Sequence, residues 1–413
     1  MLKRLVTRLL RTEQPLRTPA PLRVRLRAAS ASLSPRARLK SLTAVGWVCV
    51  SALSPVFAQA QTNAERVQPE VIAEGLEHAW ALGFLPGGRF LVTERVGRLR
   101  IVEADGRIGP PLAGLPRIDV GGQGGLLDLA LDSNFERNRT LFLCFTEPGE
   151  GGNSTAMARA ELSADERTLN HFRVIFSQQP KLPGRHHFGC RIVEHSDGTL
   201  MLTLGERFNR MNDAQRLDNH LGKLVRVHKD GRVPADNPYI GHAQARPEIF
   251  SIGHRNPQGA TLDSRGRLWV HEHGPQGGDE INLPQPGKNY GWPVITYGEQ
   301  YGGGKIGAGI THAPGLEQPI HHWTPSIAPS GMTFLTSNRY GDDWRGSLFV
   351  GSVKFGFLTR MVVSDTRVIR EERLLQSLGQ WTRDVRQGPD GLVYVLTDAP
   401  NGRLIRLNPV RQP

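Results

Sequence analysis

From Leu85 onward one phrase of hydrophobic and polar positions returns along the chain: a glycine-containing turn, then a short run of apolar or alternating residues. It reads L-P-G-G-R-F-L-V-T-E at Leu85–Glu94 and S-D-G-T-L-M-L-T-L-G-E at Ser196–Glu206. It returns as S-R-G-R-L-W-V-H-E at Ser264–Glu272 and G-P-D-G-L-V-Y-V-L-T-D at Gly388–Asp398. Variants at Asn138–Glu147 and Trp344–Ser352 fill the gaps. Runs this short, bounded by turn residues, predict strands, and few stretches carry a helical period. Several are followed by a second strand-like run, such as G-R-L-R-I-V, G-K-L-V-R-V or G-R-L-I-R-L. Six repeats of turn and paired strand predict an all-β fold, a six-bladed β-propeller with its long loops gathered at one end. A stacked β-sandwich is the alternative, but it rarely needs six similar phrases. The expected organisation is a leader over residues 1–60, a linker over 61–69 and one propeller over 70–410. Abundant glycine (47) and proline (29) suit short strands joined by tight turns.

The formal net charge of +12 suggests nucleic acid until its location is considered. Residues 1–60 hold eleven Lys/Arg against one acid, Glu13, which leaves about +2 for the rest of the chain. The basicity belongs to the leader, so nucleic acid is not an expected partner. Within it, Arg36, Arg38 and Lys40 precede an uncharged apolar run, Leu42 to Ala58, and Ala58-Gln59-Ala60 offers a small-x-small cleavage pattern. An export signal is expected, with a periplasmic or secreted product and no stable membrane insertion after cleavage. An amino-terminal membrane anchor is the alternative. Cys49 would leave with the signal, and Cys144 and Cys190 remain. They could pair in an oxidising compartment, but the reading favoured from sequence is two buried free thiols.

The most unusual segment is His271–Pro293, H-E-H-G-P-Q-G-G-D-E-I-N-L-P-Q-P-G-K-N-Y-G-W-P. It is too rich in Gly and Pro for a helix, and its carboxylate and carbonyl oxygens suit a hard cation such as calcium. With it stand G-Q-G-G-L-L-D (Gly122–Asp128), H-F-G-C-R (His187–Arg191), G-H-R-N-P-Q-G (Gly253–Gly259) and R-D-V-R-Q-G-P-D-G (Arg383–Gly391). Five such motifs in order, spread over about residues 70–408, resemble the soluble aldose sugar dehydrogenases that depend on pyrroloquinoline quinone (PQQ). The resemblance implies a six-bladed propeller that binds PQQ and calcium and oxidises the anomeric hydroxyl of aldose sugars to lactones. Electrons would then pass to an external acceptor.

The same resemblance assigns roles by position. His187 would be the base that takes the hydroxyl proton, a task suited to a group titrating near working pH. Gln123, Arg255, Asn256, Tyr301, Lys354 and Arg383 would contact PQQ, whose carboxylates suit arginine and lysine. The carbonyls of Gly274 and Pro275 would hold a calcium against the cofactor, and Glu280, the Tyr290 carbonyl and Glu299 a second, structural one. Trp323 would line the substrate pocket, with a core position as its alternative. Two departures stand out: Cys190 occupies a place where the related motif carries glycine, and Trp381 one where it carries arginine. Outside catalysis, a propeller that binds a glycan or protein partner without turnover is the alternative. A calcium-dependent lactonase would need a carboxylate-rich metal centre, which these loops do not offer.

Overall fold

Twenty-four strands, numbered β1–β24 in chain order, form six four-stranded sheets in the computed structural model, which describes residues 66–410. The leader and signal expected over residues 1–60, Cys49 included, lie outside the described residues. Each sheet is an antiparallel meander, and the six innermost strands stand side by side in a ring. They are β2 (Ala79–Leu85), β6 (Leu126–Leu131), β10 (Gly189–Glu194), β14 (Pro257–Leu262), β18 (Pro329–Phe334) and β22 (Trp381–Gln387). β22 meets β2, so the ring closes. The last sheet takes its outer strand from the other end of the chain: β1 (Val67–Leu76) pairs with β24 (Gly402–Pro409). β1 therefore begins three residues inside the expected linker. The fold is a six-bladed β-propeller.

The six repeated phrases are the second strands of the six blades: β3 (Arg89–Glu94), β7 (Thr140–Gly149), β11 (Thr199–Leu204), β15 (Leu268–Glu272), β19 (Leu348–Ser352) and β23 (Val393–Asp398). Second strands are covered on both faces by neighbouring blades, which is why they read as nearly continuous apolar runs. All six residues of β11 and of β23 are buried.

Three of the innermost strands, β6, β10 and β22, carry charge instead. Arg191 is buried on the propeller axis, 3.2 Å from Asp128 and 2.9 Å from Asp384. Arg386 closes the square, 2.7 Å from Asp128 and 3.0 Å from Asp384. Both carboxylates also accept main-chain amides, Asp128 from Ile192 (2.7 Å) and Asp384 from Leu82 (3.0 Å). Buried charges survive only when paired and fully hydrogen-bonded, and this network meets that condition across four blades.

The free-thiol expectation is overturned: Cys144 on β7 and Cys190 on β10 form a disulfide, with their Cα atoms 5.8 Å apart. Sequence spacing could not bring them together, because only the packing of adjacent blades does so. No helix of the described residues is long and apolar enough to cross a membrane.

Candidate active site

The motif residues collect where loops enter the innermost strands at one end of the ring. His187 precedes β10 and is buried, with φ 52°. Its backbone amide donates to Gln123 Oε1 (2.8 Å), and its Nδ1 lies 2.7 Å from Glu206 Oε1. Gly205 lets the segments meet, because a Cβ there would collide with the His187 carbonyl. Burial first, and then the positive charge of Arg255, hold the imidazole well below its ordinary pKa. Burial pushes the Glu206 carboxyl up to about 7, against the opposing pull of Arg255. Its second oxygen, Oε2, is buried without a hydrogen-bond partner.

Arg255 and Asn256 precede β14. The buried Arg255 guanidinium donates to the carbonyls of His273 (3.0 Å) and Gly274 (2.7 Å) and lies 3.4 Å from the Tyr301 hydroxyl. Asn256 Oδ1 accepts the Gly189 amide (3.1 Å), while Asn256 Nδ2 is buried with no partner. The Gly274 loop is clasped by Asp279. That carboxylate accepts the amides of Gly274 (2.9 Å), Ile327 (2.8 Å) and Ala328 (2.9 Å) and the Ser326 hydroxyl (3.0 Å).

Beside this loop opens a cleft of about 1020 Å³, with Pro275, Gln276, Tyr301, Lys354 and Trp381 among its walls. Tyr301 (63% exposed) and Trp381 (53% exposed) present aromatic faces to it. Phe208 stacks on Tyr301 (6.4 Å between centroids) and meets His187 edge-on (5.1 Å), so an aromatic bridge joins the cleft to the histidine. Glu299 is also in the cleft wall.

Of the predicted residues, Pro275, Glu299, Tyr301 and Lys354 line the cleft, whereas Arg383, Trp323, Tyr290 and Glu280 are held elsewhere. Arg383 is engaged with Asp398 (2.8 Å) and lies 6.0 Å from the Trp80 ring. Trp323 is buried in a hydrophobic cluster with Trp269 and Ile281, its Nε1 donating to Glu371 (2.8 Å), and does not line the cleft. Tyr290 stacks on His254 (4.9 Å). Glu280 is buried, and burial with Glu272 and Asp279 nearby raises its pKa well above the carboxylate range. Among the described residues no group of three or more His, Cys, Asp or Glu side chains is arranged to hold a metal.

Sequence reading missed Glu206, Phe208 and Asp279. A signal for Glu206 existed: five of the six strand phrases end in an acid, at Glu94, Glu147, Glu206, Glu272 and Asp398. In the fold these acids meet Arg98, Lys181, His187, His254 and Arg383 respectively. A carboxylate shielded at a strand end needs such a partner, so the acid marks where a cation or histidine will stand.

Comparison with known proteins agrees with this fold. The family described as Glucose / Sorbosone dehydrogenase matches residues 76–406. The chain is 42% identical over 374 residues to aldose sugar dehydrogenase YliI of Escherichia coli (strain K12), covering 90% of this chain and 99% of that relative. Among solved structures, the soluble aldose sugar dehydrogenase from Escherichia coli in its apo form superposes with a TM-score of 0.81 at 43% identity, over 83% of this chain and 100% of the other. The PQQ-bound form of aldose sugar dehydrogenase from Streptomyces coelicolor gives 0.69 at 26% identity, over 83% and 98%.

Proposed function

The chain belongs to the glucose/sorbosone dehydrogenase family, and from that premise we propose that it is an exported PQQ- and calcium-dependent enzyme oxidising the anomeric hydroxyl of aldose sugars to lactones. The observation that carries the reading is the buried His187–Glu206 pair, joined at 2.7 Å and linked through Phe208 to an open, aromatic-walled cleft.

The residues present fit the cofactor. PQQ is flat and bears three carboxylates. The cleft offers it aromatic faces at Tyr301 and Trp381, the Lys354 ammonium, and Arg255 at the Tyr301 wall. Arg383 belongs to the contact set by its place in the motif, and the side-chain oxygen of Gln123 anchors the His187 amide. Asn256 keeps a buried amide nitrogen unsatisfied, as a residue awaiting an acceptor would. For calcium, the expected set beside the cofactor is the carbonyls of Gly274 and Pro275. Pro275 lines the cleft, whereas the Gly274 carbonyl accepts Arg255 and would have to exchange that partner for the ion. Glu280, the Tyr290 carbonyl and Glu299 form the second expected set. Glu280 is crowded by Glu272 and Asp279, while Asn282 Oδ1 is orphaned. An all-oxygen set under like-charge repulsion suits a divalent ion. Bound there, PQQ would supply the two-electron acceptor for the sugar's C1 hydrogen, and calcium would supply Lewis acidity.

The chain's own residues then manage the proton. An ionised Glu206 accepts Nδ1–H of His187, which fixes the tautomer whose Nε2 lone pair is open. Nε2 takes the proton of the anomeric hydroxyl as the C1 hydrogen departs with its electron pair. Burial keeps the imidazole neutral and ready for this step. Phe208 and Tyr301 give the sugar apolar faces beside the base, and closing them over it would exclude water. Export is supported by the leader motif and agrees with the Cys144–Cys190 disulfide, since such bonds persist in oxidising compartments. Product analysis tests the proposal. Mature chain supplied with PQQ, calcium, glucose and an artificial acceptor should form one lactone per two electrons delivered to the acceptor, and acceptor reduction without lactone would refute it.

A further inference from the structure

His187 and Cys190 share a short segment whose backbone is held in an uncommon shape. φ is 52° at His187, 67° at Gly189 and 84° at Cys190. The pairing of β10 with β11 slips register between Gly189 and Ile192, so Cys190 and Arg191 form a bulge. A residue with a Cβ rarely adopts φ near 84°, and holds it only when its surroundings impose it. Most of the segment is held by hydrogen bonds from neighbouring blades. Gln123 accepts the His187 amide, Thr155 Oγ1 donates to the Phe188 carbonyl (2.6 Å), and Asn256 accepts the Gly189 amide. At Cys190 the side chain itself is the tether, bonded to Cys144 in the buried interior of β7 on the preceding blade. A glycine, which the related motif carries here, would take this conformation without a tether.

We propose that the Cys144–Cys190 disulfide is a positioning element for His187, locking the bulged segment against the preceding blade so that the imidazole keeps its contact with Glu206. This role rests on the reading of His187 as the base. The disulfide compensates for the Cβ that cysteine brings to a glycine-like position. It therefore has a task beyond joining two blades.

Two substitutions separate these tasks, because both remove the disulfide and only one restores backbone freedom. In the full mature chain, Cys190→Ala leaves an untethered Cβ at φ 84°, whereas Cys190→Gly does not. The first readout needs no cofactor: amide hydrogen exchange of His187 and Gly189 in the apoprotein. The Ala variant is expected to exchange about tenfold faster there than the Gly variant, with β11 equally protected in both. The second readout is turnover after addition of PQQ and calcium. kcat should be about tenfold lower in the Ala variant than in the Gly variant, with KM similar. If Cys190→Ala does not fold, Cys144→Ala also leaves the Cys190 Cβ untethered and replaces it in the comparison. Equal exchange and equal kcat in the two variants would overturn the proposal and reduce the disulfide to a staple between blades. A His187→Ala variant that still turned over would refute the base assignment instead, while the exchange comparison would stand or fall independently.

Discussion

His187 and Glu206 share one hydrogen bond, so the protonation of the carboxyl decides which imidazole nitrogen carries the proton. With its pKa raised to about 7, Glu206 is protonated in mildly acidic solution. Its O–H then donates to Nδ1, which leaves the imidazole proton on Nε2 and no lone pair facing the sugar. Above about 7 the carboxylate accepts Nδ1–H and Nε2 opens. kcat/KM is therefore expected to rise with pH through about 7, and Glu206→Gln should remove that inflection and lower kcat by roughly 10²-fold. A pH–rate profile of the two proteins checks both expectations; an unchanged inflection in the variant would assign it to another group. His187→Ala should lower kcat by about 10²–10⁴-fold while PQQ affinity, measured by calorimetry, stays unchanged. His187 was singled out from its motif, and its role as base is the proposal these variants test. Glu206 was passed over although the strand phrases end in acids, because its partner becomes apparent only where the His187 loop folds back against it. Trp323 illustrates the opposite case: its residue type suits a sugar platform, but packing took it into the core.

At the scale of elements, legibility followed burial. The six second strands announce themselves because neighbouring blades cover both their faces. The innermost strands β6, β10 and β22 do not, because Asp128, Arg191, Asp384 and Arg386 interrupt their apolar pattern. The motifs that enter them read as loops. Outer strands as short as β17 (His321–Trp323) carry too few residues to show a period. The axial network makes a stability prediction. Asp384→Ala strips one carboxylate from the buried Arg191 and the half-buried Arg386, and should destabilise the fold by about 3–5 kcal/mol in denaturant titration. A loss below 1 kcal/mol would mean that the shaft repacks or admits water. The disulfide makes a second one. It closes a loop between positions 46 residues apart, so its removal by Cys190→Gly should cost about 4 kcal/mol on the chain-entropy account, read from the same titration. No loss would indicate that the unfolded chain is already constrained there.

The propeller is closed by pairing its first strand with its last, which fixes the ring and holds loops from different blades around one cleft. That convergence could be expected from the repeat, whereas which loop residues would face one another could not. The charge distribution pointed away from nucleic acid by the same kind of reasoning, because the excess belongs to the leader. What the molecule does depends on whether the cleft takes a quinone. The direct measurement is reconstitution: purified mature chain, glucose as substrate and an artificial dye as acceptor, with PQQ and calcium added singly and together. Dye reduction that requires both additions is the predicted result. Reduction without PQQ, or no PQQ binding even with calcium present, would contradict the quinoprotein account and favour a propeller that binds a glycan or protein partner without turnover.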